Sequence, residues 1–364
     1  MKLLFDLIKT TSLLDDTDLF KLSETIEKYK DDFKYISTAL YERLTPADQE
    51  CFVAWFLKRW AKVDIVSPTK RSKYDAIVKD AFASHGTKCI DGREYVIRKY
   101  LPSGYDFTLL GYDWFTGVHD ITFDQYCTDK FAPHPGDIII DGGAFIGDTA
   151  VLFNAKTKGN CEIHAFELLD ENLALLHHNL NINGIKGNVF ANRLALGDKS
   201  NVEVSIAQPK LQASTSLKWA GAIKVEMIKL DDYVTDQQLE RVDLIKFDIE
   251  GAEIPALEGA RKTILKFRPR LALCLYHSWD DVITIPKFLD SLGFEYEYEF
   301  KWVQLSLGTE GVLLATPRDY NSVAQPSPPV DLAALEAGYI RLFGAYNKKY
   351  QQADKLWKEK LAQI

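Results

Sequence analysis

Long apolar runs are missing from this sequence. No uninterrupted stretch reaches the roughly 20 residues that a membrane-spanning helix needs, so no membrane span is expected. The segment Met1 to Lys9 begins as an apolar run, but Asp6 and Lys9 interrupt it and Asp15, Asp16 and Asp18 follow. It reads as an amphipathic helix rather than an exported leader. Basic excess is missing too. The net charge is -8, which leaves no electrostatic footprint for DNA or RNA and sets nucleic acid aside as a partner. The five cysteines, Cys51, Cys89, Cys127, Cys161 and Cys274, are scattered, odd in number and contain no CxxC pair. A disulfide scaffold is excluded, no metal-ligand spacing appears among Cys and His, and reduced thiols in a cytoplasmic protein are expected. Internal repeats and long low-complexity stretches are absent. What is present is 46% hydrophobic and 26% charged over 364 residues, an ordinary globular composition with room for one large domain and something smaller.

Five segments follow from the pattern of the chain. Residues 1–85 read as a helical N-terminal domain. Asp15-Asp16-Thr17 is a helix-start signal, and Thr45-Pro46 is a cap with proline at the first helical position. Phe52, Val53, Trp55, Phe56, Leu57 and Trp60 make the next helix aromatic-rich, most simply as core. Residues 86–135 form a connector, strand-like over Glu94 to Leu101 and dense in aromatics from Tyr105 to Tyr126, that packs on the main domain or walls its pocket. Residues 136–320 alternate strands and helices, the sign of a parallel α/β sheet. The expected strands lie at Ile138–Ile140, Glu162–Phe166, Val189–Asn192, Asp243–Asp248, Leu271–Leu275, Phe294–Phe300 and Val312–Ala315, the last antiparallel between its neighbours. Helices are expected over 170–180, 253–266 and 281–292. Residues 321–330 are a proline-rich linker, and residues 331–364 a heptad-like helix that packs on the N-terminal region or on a second copy of the chain.

The main domain is organised around Asp137 to Thr149. Three isoleucines end at Asp141, and Gly142 and Gly143 permit a tight turn and close ligand approach. A helix then starts from Gly147, with Asp148 and Thr149 in its first turn. Strand, glycine turn and helix start together make a nucleotide-type pocket at the C-terminal edge of a sheet. The spacing G-x-G-x-x-G of a dinucleotide site fails, because Ala144 stands where its second required glycine would be. Asp-Gly-Gly-Ala-x-x-Gly instead resembles the loop of S-adenosylmethionine (SAM) methyltransferases.

Three features downstream fit that loop. Glu167 ends the second strand, where an acid accepts both ribose hydroxyl protons in nucleotide-binding α/β folds. Ala195-Leu196-Gly197-Asp198 follows the third strand, either as an adenine-edge turn or as a plain Gly-Asp turn. Lys246, Asp248 and Glu250 alternate at the end of the fourth strand and share a face. Charge there is costly unless it serves a site, the competing reading being a structural ion pair with Lys246.

These motifs, above all Ile-Lys-x-Asp-Ile-Glu-Gly-Ala-Glu over 245–253, together with Tyr276-His277 and Ile285-Pro286, resemble the FkbM family of SAM-dependent methyltransferases. The resemblance covers about residues 136–317 and implies a class I methyltransferase fold: α/β, Rossmann-like, with a seven-stranded mostly parallel sheet. It implies methyl transfer from SAM, leaving S-adenosylhomocysteine, commonly to a hydroxyl of a sugar, glycan or secondary metabolite. By position it assigns cofactor contacts to Asp141, Gly142, Gly143, Ala144, Gly147, Asp148, Thr149, Glu167, Leu168, Ala195, Leu196 and Asp248. It assigns acceptor contacts to Glu250, Glu253, Tyr276 and His277, and catalysis to Asp248, His277 and Glu250. His277 reads either as a neutral general base or as a structural histidine. Asp248 and Glu250 are oxygen ligands for a divalent metal, but nothing in the spacing demands one. An N-methyltransferase or peptide-directed enzyme, and a catalytically silent scaffold that assembles through its terminal helices, are the competing readings.

Overall fold

The computed structural model describes residues 1–81, 84–90, 92–207, 221, 223–305 and 308–318, and residues 340–342, 344 and 348 near the C-terminus. The chain starts with helices α1 (Lys2–Lys9), α2 (Asp16–Tyr29), α3 (Phe33–Ala39), α4 (Pro46–Phe56) and α5 (Pro68–Ala81). The expected caps are in place: Asp15 accepts from the Asp18 amide, and Thr45, with Pro46 following, accepts from the Asp48 amide. A π-helical turn, Leu57–Ala61, prolongs α4. An antiparallel sheet of β1 (Thr87–Ile90), β2 (Arg93–Lys99) and β3 (Thr108–Gly111) follows, then a second π-helical turn at Val118–Thr122.

The rest of the chain contains β4 (Ile138–Gly142), α6 (Asp148–Lys156), β5 (Glu162–Phe166), α7 (Asp170–Ile182), β6 (Val189–Asn192), β7 (Leu194–Leu196), β8 (Val202–Ile206), β9 (Ile223–Ile228) and α8 (Leu230–Asp236). After these come β10 (Leu244–Phe247), α9 (Glu253–Gly259), α10 (Arg261–Phe267), β11 (Arg270–Cys274), α11 (Asp281–Asp290), β12 (Tyr296–Trp302) and β13 (Gly311–Pro317). Seven of these strands form one sheet in the order β12-β13-β11-β10-β4-β5-β6, with β13 antiparallel between β11 and β12. This is the expected class I methyltransferase sheet. All four residues of β10 are buried, as a strand covered on both faces must be. Register sets Lys246 of β10 beside Asp141 of β4, so the two charged residues inside the sheet meet across one strand pair.

Three expectations need correction. The helix expected over 253–266 is two helices that break at Ala260. A side chain on Gly259 would run into the Gly197 carbonyl at 1.9 Å, so the end of α9 packs closely on the residue after β7. Ala195-Leu196 is not a turn but part of β7, which pairs with β9 in a separate three-stranded sheet, β7-β9-β8. Asp198 beyond it is exposed and does not line the cavity described below.

The hydrophobic core does not divide at residue 85. One continuous cluster joins Leu3, Phe33, Phe52, Trp55 and Phe56 of the first helices to Phe300, Leu313 and Leu273 of the sheet. Phe52 and Trp55 pack against Phe300 at ring separations of 5.0 and 5.2 Å. The linker at 321–330 lies outside the described residues, as does most of the C-terminal segment. There, Leu342 is buried in the cluster of the N-terminal helices, and Arg341 donates to the Leu14 carbonyl at 3.4 Å. At these positions the segment meets its own N-terminal region. Among the described residues no helix is long and apolar enough to cross a membrane.

Candidate active site

The C-terminal ends of β4, β5, β7 and β10 open on one cavity of about 300 Å³. Of the residues expected from the sequence, Gly143, Asp148, Thr149, Glu167, Leu168, Ala195, Leu196, Asp248, Glu250 and Tyr276 line it.

The glycine turn is held by sterics and charge. Gly143 has φ +77°, and a Cβ there would sit 1.8 Å from the Asp248 carbonyl oxygen, so the ends of β4 and β10 approach as only glycine allows. Lys246 Nζ donates to the Gly143 carbonyl at 2.8 Å and pairs with Asp141 Oδ1 at 3.0 Å. Thr149 donates its hydroxyl to the other Asp141 oxygen at 2.6 Å. Both charged partners are buried. Burial alone would lower the Lys246 pKa, but Asp141, Asp248 and Asp148 outweigh it and hold the ammonium above its ordinary range. Asp141 therefore does not line the cavity: it braces the turn from beneath. Gly142, Ala144 and Gly147 likewise shape the turn without lining the cavity.

Glu167 sits where β5 ends. Its Oε1 accepts from the Leu168 and Leu169 amides at 2.7 and 2.8 Å, which aims the carboxyl into the cavity. Burial outweighs these bonds and pushes its pKa up to about 7. Phe166, Leu168, Leu194, Ala195 and Leu196 give the same end of the cavity apolar walls.

At the other end stands Asp248. Tyr126 donates its hydroxyl to Oδ2 at 2.5 Å, and Tyr276 donates to Oδ1 at 2.8 Å. Burial alone would raise this carboxyl, but His277, Lys246 and the two hydroxyls hold it below the usual carboxylate range. Glu250 follows in a tight turn with φ +55°, a left-handed conformation that a side chain adopts at a cost. Burial, with Asp248, Glu253 and Glu310 nearby, pushes its pKa up to about 7 despite the pull of His277.

His277 and Glu253, expected at the acceptor, lie behind the cavity and not on it. His277 Nδ1 donates to Glu253 Oε1 at 2.8 Å, while Nε2 lies 3.4 Å from Asp248 and 3.6 Å from Glu250. Burial would lower its pKa, yet these three carboxylates raise it to about 9. The imidazole is thus a cation at neutral pH and has no lone pair with which to take a proton. It organises carboxylates.

A further wall comes from the connector, one of the two placements expected for it, but none of its residues was expected by name at the site. Trp114, Phe115, His119, Asp120, Gln125 and Tyr126 come from the connector, and Glu310 from the segment before β13. The density of aromatics in the connector was the available signal; nothing in its spacing marked His119, Asp120 or Gln125. These residues lie on or just after the π-helical turn Val118–Thr122, a rare geometry found often at functional sites. A further support comes from the first helices. Arg59, in the π-helical turn after α4, donates from Nε and Nη2 to the Tyr276 carbonyl, with Nε at 2.9 Å. Among the described residues, no group of three or more His, Cys, Asp and Glu side chains is arranged to hold a metal ion.

Comparison with known proteins follows the same lines. Residues 141–296 match the family model described as the methyltransferase FkbM domain. The chain carries an FkbM methyltransferase domain. The crystal structure of methyltransferase FkbM from Methylobacillus flagellatus KT superimposes with a TM-score of 0.50 at 15% identity, over 81% of this chain and 62% of that one. That likeness is one of fold, and the chain spans under two thirds of that protein's length. "Methyltransferase 1" of Beauveria bassiana is 26% identical over 211 residues, which is 50% of this chain and 82% of that protein. "2-O-methyltransferase NoeI" of Sinorhizobium fredii is 39% identical over 66 residues, 18% of this chain and 27% of that protein. The FkbM match stops at residue 296, so the connector wall and Glu310 of the cavity lie outside it.

Proposed function

We propose that the FkbM domain binds SAM in this cavity and methylates a hydroxyl of a sugar, glycan or secondary metabolite. The observation that carries this reading is that Glu167, Gly143, Asp248 and Glu250, from three different strand ends, open on one cavity. The residues fit the cofactor by their chemistry. An aimed acid at the end of β5 suits a ribose, apolar walls beside it suit a purine, and carboxylates at the far end suit a sulfonium.

SAM supplies an already activated methyl group, so the chain's task is to position the acceptor, exclude water and receive a proton. Asp248 is a poor base here, with its pKa held down and both oxygens engaged by tyrosine hydroxyls. Its task is to orient. Glu250 lines the cavity with a pKa near 7, close to where a general base works best at neutral pH. The 2-O-methyltransferase among the relatives supports oxygen as the acceptor atom. One observation favours an amine instead: Asp120, Asp148, Glu167, Asp248, Glu250 and Glu310 make the cavity wall strongly acidic, which suits a cationic acceptor.

The test begins with calorimetric titration of the purified protein with SAM and S-adenosylhomocysteine, beside Glu167→Ala. Micromolar binding that weakens in the variant is expected. No binding to either ligand would move the scaffold reading to the front. Labelled-methyl transfer to panels of hydroxyl and amine acceptors then separates the two chemistries, and with a hydroxyl acceptor the rate should rise with pH to about 7 and collapse in Glu250→Gln.

A further inference from the structure

His119 and Glu310 line the cavity from two segments that lie outside the FkbM match. His119 belongs to the π-helical turn Val118–Thr122, and Glu310 to the segment just before β13. His119 Nε2 and Glu310 Oε2 face one another at 3.7 Å. Both atoms are buried, and neither has a hydrogen-bond partner. Two unmet polar atoms facing each other in a cavity wall are uncommon, and a site that its ligand completes explains them. Hydrogen bonds of this kind are often long before a substrate binds and tighten in the complex. The approach of the two side chains is built into the backbone. Gly308 has φ +99°, and a Cβ there would sit 2.3 Å from Glu310 Oε2 and 2.8 Å from His119 Nε2, so any side chain at 308 would push the pair aside. Both partners are anchored. The His119 carbonyl accepts from the Gln125 amide at 3.1 Å, and Trp55 donates to the Thr309 carbonyl, beside Glu310, at 2.7 Å.

Glu310 acts on the charge of both Glu250 and Tyr276, which places the pair beside the groups at the Asp248 end of the cavity. With Nε2 turned to Glu310, Nδ1 is the ring nitrogen left for a ligand, and the second Glu310 oxygen offers an acceptor beside it. An anionic group would meet Glu310, Glu250, Asp120 and Asp248 at once. An ammonium would be met by those carboxylates alone and would leave the imidazole without a role. A hydroxyl both donates and accepts, so it satisfies imidazole and carboxylate together. We propose that the His119–Glu310 pair binds a second hydroxyl of the acceptor, close to the hydroxyl that Glu250 deprotonates. The pair then selects acceptors with neighbouring hydroxyls, vicinal diols above all, over mono-alcohols. The proposal rests on the reading of the cavity as a SAM site with a hydroxyl acceptor, and adds the groups that decide which hydroxyl compound enters. A mono-alcohol leaves the buried pair without its partner, and that unpaired state is what lets such a site discriminate.

The experiment uses probes that differ by one hydroxyl. Labelled-methyl transfer from SAM to cyclohexanol, to trans-1,2-cyclohexanediol and to methyl glycosides is measured with the full chain as wild type, His119→Phe and Glu310→Gln. Calorimetric titration with S-adenosylhomocysteine runs alongside, and affinity within about twofold of wild type shows that each variant is folded with its cofactor site intact. The wild type is expected to favour the diols by about tenfold or more in kcat/KM, as for one good hydrogen bond made or left unmade. In both variants that preference falls by about tenfold, chiefly through a higher KM for the diol. A wild type that methylates diol and mono-alcohol equally overturns the proposal and leaves the hydroxyl reading standing. A preference that survives in both variants overturns it as well. Equal losses on diol and mono-alcohol, or loss of S-adenosylhomocysteine binding in both variants, also overturn it, because the pair is then purely structural. No transfer to any hydroxyl probe overturns the hydroxyl reading and the proposal together. A wild type that does not bind S-adenosylhomocysteine overturns the SAM reading with them.

Discussion

Lys246→Met tests the electrostatic logic of the site most directly. Lys246 and Asp141 are 2% and 0% exposed, with Nζ and Oδ1 3.0 Å apart. At an effective dielectric of about 20, two unit charges at that distance attract by about 5–6 kcal/mol. Removing them from water costs several kcal/mol each, so the intact pair adds little net stability over a neutral core. Removing one partner is different. Lys246→Met leaves the Asp141 carboxylate buried with only the Thr149 hydroxyl, and strips the Gly143 carbonyl of its donor. The expected loss is about 3–5 kcal/mol. Asp141→Asn should cost less, about 1–3 kcal/mol, because the ammonium keeps the Gly143 carbonyl and the field of Asp148 and Asp248. The double variant Asp141→Asn/Lys246→Met should recover much of the loss of Lys246→Met, since no unpaired charge remains. Urea unfolding followed by tryptophan fluorescence and far-ultraviolet circular dichroism measures all four proteins. A loss under about 1 kcal/mol for Lys246→Met, or additive single variants, would refute the assignment of a coupled buried pair.

Gly143→Ala drives a Cβ into the Asp248 carbonyl, whereas Gly187→Ala shares a positive φ of +79° but meets nothing within 4 Å. Gly187→Ala should cost about 1–2 kcal/mol from backbone strain alone, and Gly143→Ala distinctly more, together with at least about tenfold in SAM affinity; equal costs in thermal melts would show that the close approach of β4 and β10 is not tight. Stability should fall as pH rises. The pKa values of Glu167, Glu250 and Asp281 stand at about 7 and that of Asp120 at about 6, all above their unfolded values, so the folded chain binds more protons between about pH 4 and 7. His277, raised to about 9, extends the loss through pH 6.5–9, while Asp248 works oppositely only below about pH 4; a melting temperature higher at pH 8 than at pH 5.5 would contradict the assigned environments. Arg59→Ala removes the donors that hold the Tyr276 carbonyl and should cost about 1–3 kcal/mol in urea unfolding, with Arg59→Lys recovering part of it; no measurable loss would show that this carbonyl is satisfied by water.

The legible part of this chain is the part governed by local rules. Three isoleucines, a glycine pair and a helix start announce β4 and the turn after it. Charges at the end of an apolar strand announce β10, because burial makes them improbable unless they serve something. What was not legible depends on neighbours from elsewhere. His277 carries a base's residue type, but three carboxylates, Asp248 and Glu250 from the turn after β10 and Glu253 from α9, make it a cation. Asp141 ends a strand as a ligand-binding acid would, but the β4–β10 register sets it beside Lys246. The close packing where α9 ends brings Gly259 against Gly197, which lies far away in sequence. Asp120 and Gln125 sit in a segment with neither helical nor strand periodicity, where residue spacing carries no information about which way a side chain points.

The same dependence argues that the FkbM domain does not build its own site. Tyr276 orients Asp248 through its hydroxyl, and its carbonyl is held by Arg59 of the first helices. The next residues, through Trp279, pack on Tyr29, Phe56 and Trp60, so the loop after β11 lies between the sheet and the N-terminal helices. On the other oxygen of Asp248, Tyr126 arrives from the connector. The segment carrying Glu310 is pinned the same way, by Trp55 donating to the Thr309 carbonyl at 2.7 Å and Lys58 to the Leu305 carbonyl at 2.7 Å. Residues 141–296 supply Asp248 and Glu250, but both tyrosines that fix Asp248 take their position from outside that range or from groups that lie outside it. A carboxylate at a strand end with only water to hold it would have neither the fixed orientation nor the lowered pKa that Asp248 has here. The helices and connector therefore hold the residues of the candidate site in place, and they do so from the least patterned stretches of the sequence.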